Sequence, residues 1–156
     1  MSSPRGLANH HLYLARLVLT AWQRDAAAAE VPAGTLVAAF GPACHQHLLR
    51  AYGWFLLAIS SPAEVPTAPP TRVSELPPPP QGRAVPAELR EFQLLESEGW
   101  LADLVNWSAA EPVAARRSFG NLATASQQPA GPQRFSEWVQ GLDECFARMG
   151  DSLDEY

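Results

Sequence analysis

The chain has 156 residues, 47% of them hydrophobic, which is enough for one domain with a substantial core. A net charge of −5 and a pI near 5.3 offer no basic field to a polyanion, so nucleic-acid binding is not expected. The longest apolar run, near Trp54 to Ile59, is too short to span a membrane. All 11 basic residues are arginine; together with abundant alanine this looks like a GC-rich bacterial genome and not a dedicated phosphate site. Cys44 and Cys145 both fall on expected core stripes and no apolar signal region follows the first Met, so a cytoplasmic protein with reduced thiols is expected.

The first helix is expected from Ser3-Pro4, a hydroxyl cap followed by proline at the first helical position, to about Ala29. Leu7, His10, His11, Leu14, Leu17, Val18, Ala21 and Trp22 share one face at helical spacing, with Leu12 and Leu19 off it and Arg16, Gln23 and Arg24 on the wet side. The short turn Pro32-Ala33-Gly34 makes the next helix an antiparallel neighbour. That helix, Leu36 to Ile59, is apolar on nearly every side and has to sit inside a bundle. Val37, Phe40, Cys44, Ala51, Phe55 and Ala58 form its stripe, Leu48 and Ile59 widen it, and Leu49, Leu56 and Leu57 lie beyond it. Only His45, Gln46, Arg50 and Tyr52 are left for water. Gly41-Pro42 predicts a kink, because an interior proline loses a hydrogen bond and crowds the carbonyl of Ala38.

Residues 61–86 contain Pro62, Pro66, Pro69, Pro70, Pro77 to Pro80 and Pro86, which exclude regular helix and predict extended or polyproline II chain. This stretch reads as a linker that crosses the bundle or covers the spare apolar faces, since the basic flank of a proline-groove ligand is absent at the usual spacing. The third helix is expected from Ala87 to about Trp107, with Leu89, Leu94, Trp100, Leu101, Leu104, Val105 and Trp107 on a broad face and Glu96 at its edge. Residues 108–132 read mainly as loop, with a short helical turn near 113–117 and a basic pair at Arg116-Arg117. The last helix, about Gln133 to Leu153, has the narrowest stripe: Phe135, Trp138, Val139, Leu142, Cys145, Phe146, Met149 and Leu153. Its opposite face carries Glu137, Asp143, Glu144, Arg148 and Asp151. The last three residues, 154–156, read as a frayed tail.

Candidate chemistry is sparse. His10, His11, Cys44 and His47 lie on neighbouring helices and are the candidate ligands of a metal site. No Glu-x-x-His pair accompanies them, which removes the usual di-iron bundle arrangement. Arg5 and His10 match the loose Arg-x4-6-His spacing of the HEPN ribonucleases, but at the chain's N-terminus and not on a late helix. Cys44 and His47, three apart, are the one geometrically reasonable thiol–imidazole pair. Neither a glycine-rich phosphate loop nor a nucleophile elbow is present. Trp22, Trp54, Trp100 and Trp107 line a pocket only if their rings converge.

At Asn9-His10-His11-Leu12-Tyr13-Leu14-Ala15-Arg16 and at Glu96-Ser97-Glu98-Gly99-Trp100-Leu101 the chain resembles an uncharacterised bacterial family of small all-helical proteins, a domain of unknown function. The resemblance covers the helices and not the proline-rich segment. It implies an all-helical fold and a bacterial origin, and brings no activity, cofactor or site residue.

The expected architecture is all-α: one helical-bundle domain over residues 1–156, four helices running up-down-up-down, with a proline-rich crossover between the second and third. The expected role is a non-enzymatic binding or adaptor protein with no cofactor, engaging a protein partner or a second copy of itself. The apolar surplus, Leu12, Leu19, Leu49, Leu56 and Leu57, is the expected interaction face. The alternative is a small metal-binding protein or enzyme using His10, His11, Cys44 and His47.

Overall fold

The structure is a computed structural model that describes residues 2–109 and 130–154. The described residues form five helices and no strand: α1 (Pro4–Ala28), α2 (Ala33–Ser60), α3 (Ala87–Glu98), α4 (Trp100–Asn106) and α5 (Pro132–Asp154). The expected basic pair at Arg116-Arg117, the turn near 113–117 and the end of the tail lie outside the described residues. No helix among those described is long and apolar enough to cross a membrane.

Helix α1 begins as its sequence dictates, with the Ser3 hydroxyl accepting from the Gly6 N–H at 3.0 Å and proline in the first turn, which satisfies one of the free N–H groups of the helix start. Its buried residues are Ala8, Leu12, Ala15, Leu19 and Trp22. The stripe is therefore rotated from the expected one. Leu12 and Leu19 are its centre, whereas Leu17 and Tyr13 face solvent at 51% and 56% exposure. Alanines at 8 and 15 let the α1 backbone come close to α2, and that close approach selects this face over the one richer in large side chains.

Helix α2 runs unbroken through Pro42. The Cβ that Gly41 lacks would lie 3.0 Å from the Trp107 ring, so the glycine admits that indole beside the proline. The pairings Trp22 with Phe40, Cys44 with the Ala15 carbonyl and His11 with His47 run in opposite chain directions, which makes α1 and α2 antiparallel. In the first half of α2 only Leu36, Gly41, Cys44 and Leu48 are buried, while from Ala51 to Ile59 every residue except half-buried Ala58 is. Tyr52, expected at the surface, is fully buried, and His45 is half-buried with its ring against Trp107.

The expected third helix is divided at Gly99. A Cβ there would lie 2.8 Å from a Leu95 methyl and 3.0 Å from its Cα, so the chain turns tightly across the break. Phe92, rather than Leu94, supplies the buried ring: Leu94 is 59% exposed. Beyond the break Leu101 and Leu104 enter the core, and the Trp100 indole lies on Gly141 of α5, within 3 Å of the position a Cβ would take. Helix α5 buries Phe135, Trp138, Val139, Leu142, Cys145, Phe146 and Met149, with Leu153 half-buried. Phe55 stacks on Phe146 with ring centroids 4.0 Å apart. Exposed pairs tie α5 to its neighbours, Arg16 to Asp143 at 2.7 Å and Arg148 to Glu91 at 2.6 Å; solvated pairs of this kind add little stability.

The proline-rich chain between α2 and α3 is a strap laid on α2. Its fixed point is Gly53: a Cβ there would fall 2.0 Å from the Pro70 carbonyl oxygen and 2.9 Å from the Pro69 Cβ, so main chain rests directly on helix. A single 3-10 turn, Val73–Glu75, follows. Glu96 of α3 accepts the Val73 N–H at 2.9 Å and the Tyr52 hydroxyl at 2.5 Å, joining α2, the strap and α3 through one carboxylate. The Thr71 N–H and hydroxyl both donate to Glu75, and Arg72 donates to the Asn106 side chain at 2.6 Å. These bonds supply the partners that a chain without helix or sheet otherwise lacks.

Candidate functional site

The five leucines expected to form an interaction face do not form one. Leu12 and Leu19 are 3% and 5% exposed, Leu56 and Leu57 are fully buried, and Leu49 is half-buried. The physical reason is twofold: α1 turns its leucines inward, and the strap with α3 and α5 closes over the far half of α2. Four of the five are core, and Leu49 lines a cavity on α2.

The four candidate metal ligands do not come together as one set. The Cys44 thiol is buried and donates to the Ala15 carbonyl at 3.6 Å; burial pushes its pKa up to about 12, so it is a packed thiol and not a nucleophile. Cys145 is likewise raised, chiefly by burial. His10 is exposed, with its ring 5.8 Å from that of His11. Among the described residues no three His, Cys, Asp or Glu side chains gather where they could hold a metal ion. The four tryptophans are dispersed as well. Trp22 and Trp107 pack on Phe135, Trp100 covers Gly141, and Trp54 lies at the other end of α2.

His11 and His47 do meet. Their Nδ1 atoms are 3.4 Å apart and their rings stack at 5.6 Å, so one nitrogen donates and the other accepts. Burial first, and then repulsion from His47, Arg50 and His10, lower the pKa of His11; burial, Arg50 and His10 lower that of His47. Each neighbour acting on the pair is a cation or becomes one on protonation. His45 is also lowered by burial, partly offset by the hydrogen bond its Nε2–H donates to the Leu104 carbonyl at 2.7 Å.

Two cavities flank the strap. One, about 420 Å³, opens between α1, α2 and the strap and is lined by Leu7, His11, Gln46, Leu49, Arg50, Trp54 and residues 67–71. The other, about 280 Å³, lies between the end of α2, the strap and the start of α3, with Ile59, Val73, Leu76, Leu89 and the run Pro77 to Pro80 on its walls and Arg83 among its polar groups. Arg50, expected among the solvated residues, lines the first cavity, and the strap, expected as a crossover or a cover, forms a wall of both. Gly53, which seats the strap and so makes one wall of the first cavity, carries no periodicity signal at all.

Comparison with family models, curated proteins and solved structures gives no match for this chain.

Proposed function

We propose that the chain is a non-enzymatic binding protein that receives a small ligand where the strap meets α2. The observation that carries this reading is the seating of the strap on Gly53 and Glu96, which leaves walled cavities of about 420 and 280 Å³, within or near the usual size of small-molecule sites. The chemistry in reach is that of recognition: hydroxyls, imidazoles, guanidinium groups and apolar walls, with the one well-placed thiol locked against a carbonyl. The architecture behind the reading is an up-down-up-down bundle in which α3 and α4 together act as the third member. In support, Tyr52 meets Glu96 and His45 meets Leu104 in antiparallel order, and Glu91 meets Arg148 as Trp100 meets Gly141. Two free, buried thiols suit a reducing, cytoplasmic setting. The resemblance to small all-helical bacterial proteins agrees with this fold and contributes no site.

Amide and indole spectra recorded against a library of small organic compounds test the reading. Compounds that bind should shift the Thr67, Ala68 and Thr71 amides and the Trp54 indole at the first cavity, or the Val73 and Leu76 amides at the second, without being turned over. A library that leaves all of these signals in place would count against it.

A second reading, self-association, rests on Tyr13 and Leu17, the exposed apolar pair one turn apart on α1. Light scattering of the purified chain tests it: a dimer that Leu17→Glu converts to monomer supports it, and a monomer at all concentrations removes it.

A further inference from the structure

The cavity between α1, α2 and the strap has an electrostatic character that its shape alone does not convey. Arg50 lines it and has no ion-pair partner among the described residues. His11 lines it too, with His47 at 3.4 Å behind and His10 adjoining. Repulsion from these groups reaches His11 and His47, and among the described residues no carboxylate acts on either. On the strap side the one acid bound to a lining residue, Glu75, already accepts from the Thr71 N–H and hydroxyl. A chain of net charge −5 has thus placed one guanidinium and one imidazole on the lining, with two further imidazoles adjoining, and among the described residues the lining itself contains no acid. A guanidinium at a cavity favours a ligand of opposite charge and is the side chain best shaped for a carboxylate, sulfonate or phosphate, while His11, its pKa lowered, stays neutral near pH 7 and adds a hydrogen-bonding imidazole to the lining. Much of the remaining lining is apolar: Leu7, Leu49, Trp54 and Pro69-Pro70.

We infer that this cavity binds a small organic anion, its charged head on Arg50 and His11 and its apolar or aromatic body against Trp54 and the strap prolines. The inference rests on the strap-cavity reading above and names its ligand class. A bare inorganic anion would satisfy only the cationic half of the site, and a neutral aromatic only the other half.

Calorimetric titration of the full chain at low ionic strength, with the Trp54 indole and Thr71 amide signals followed in parallel, tests it with three probes: benzenesulfonate, benzenesulfonamide and inorganic sulfate. Benzenesulfonate should bind about tenfold more tightly than either of the others and shift both signals. Arg50→Gln, at an exposed position that does not threaten folding, should weaken benzenesulfonate about tenfold, and Arg24→Gln on the outer face of α1 should leave it unchanged. His11→Gln should weaken it less. Equal binding of sulfonate and sulfonamide at Trp54, or an Arg50→Gln protein that binds as well as the parent, overturns the anion assignment while leaving the strap-cavity reading in place. Sulfate binding as tightly as benzenesulfonate overturns the role given to the apolar wall. If no probe disturbs Trp54 or Thr71, the assignment falls together with the reading beneath it.

Discussion

The two parts of α2 differ both in sequence and in surroundings: ten of the 18 residues 33–50 are hydrophobic, against eight of the nine residues 51–59. Residues 33–50 bury one stripe and leave Pro42, Ala43, Gln46 and Arg50 exposed; residues 51–59 are buried on all sides apart from half-buried Ala58. Helix partners alone do not account for the difference. Both halves pack on α1, and the second gains the strap, which lies on Gly53, places Val73 in the core and is tied through Glu96 to Tyr52. A helix that is apolar all round is stable only where something covers each flank. Here an irregular, proline-rich segment provides one of those covers. Its rigidity helps, because polyproline chain has little conformational freedom to lose on docking.

The largest expected effect contrasts the halves directly. Phe55→Ala, in the covered half and stacked on Phe146, should cost about 3–5 kcal/mol in denaturant unfolding. Val37→Ala, half-buried in the other half, should cost roughly 1 kcal/mol. Equal losses would mean that the two halves share one environment.

A pair of glycines sharpens the same contrast with opposite signs. Gly53→Ala drives a Cβ into the Pro70 carbonyl and should destabilise by about 1–3 kcal/mol while lifting the strap. Gly34→Ala has open space around it in the first turn of α2 and should stabilise by about 0.5–1 kcal/mol, from helix propensity alone. Thermal unfolding of the two variants side by side reads both.

Next comes the bond that ties the strap to the core. Tyr52→Phe removes one of the two hydrogen bonds on Glu96 and should cost about 1–2 kcal/mol, with faster hydrogen exchange at the Val73 amide. Tyr13→Phe, at an exposed phenol, should stay within about 0.5 kcal/mol of the parent.

The smallest effect is a pH dependence. His11, His45 and His47 are all lowered from the ordinary value of 6.5, each chiefly by burial. The unfolded chain therefore takes up protons that the folded chain resists. Stability from this source is complete above about pH 6.5 and is lost as the pH falls through the lowered folded values. Melting temperatures measured from about pH 7.5 down to about pH 5 should decline, and His47→Gln should flatten the decline. A rise in stability on acidification would contradict the burial assigned to these rings.

Much of the fold was legible, and unevenly so. The α5 stripe could be read residue by residue because its large apolar side chains fall at strict helical spacing with charges opposite. The phase of α1 could not, because Ala8 and Ala15 mark its contact with α2 by being small, and an apolar count is dominated by Leu7, Leu14 and Leu17. That error of phase produced the supposed leucine surplus on α1. The break at Gly99 was hidden inside a continuous helical pattern, and Pro42, which looked disruptive, sits in an unbroken helix. At the candidate site His11 and His47 were grouped from neighbouring helix faces. Arg50 could be recognised only once the strap was in place, since a lone arginine on a helix reads as solvated.

The account turns on whether the strap lies on the far half of α2. Nuclear Overhauser contacts from the Gly53 α-protons in the full chain measure this directly. The structure predicts strong contacts to the Pro69 β-protons, whose carbon lies beside Gly53 where the Pro70 carbonyl rests on the helix. Gly53 α-protons that see only their own helix and water would contradict it, and with it both the cover over residues 51–59 and the cavity wall beside Arg50.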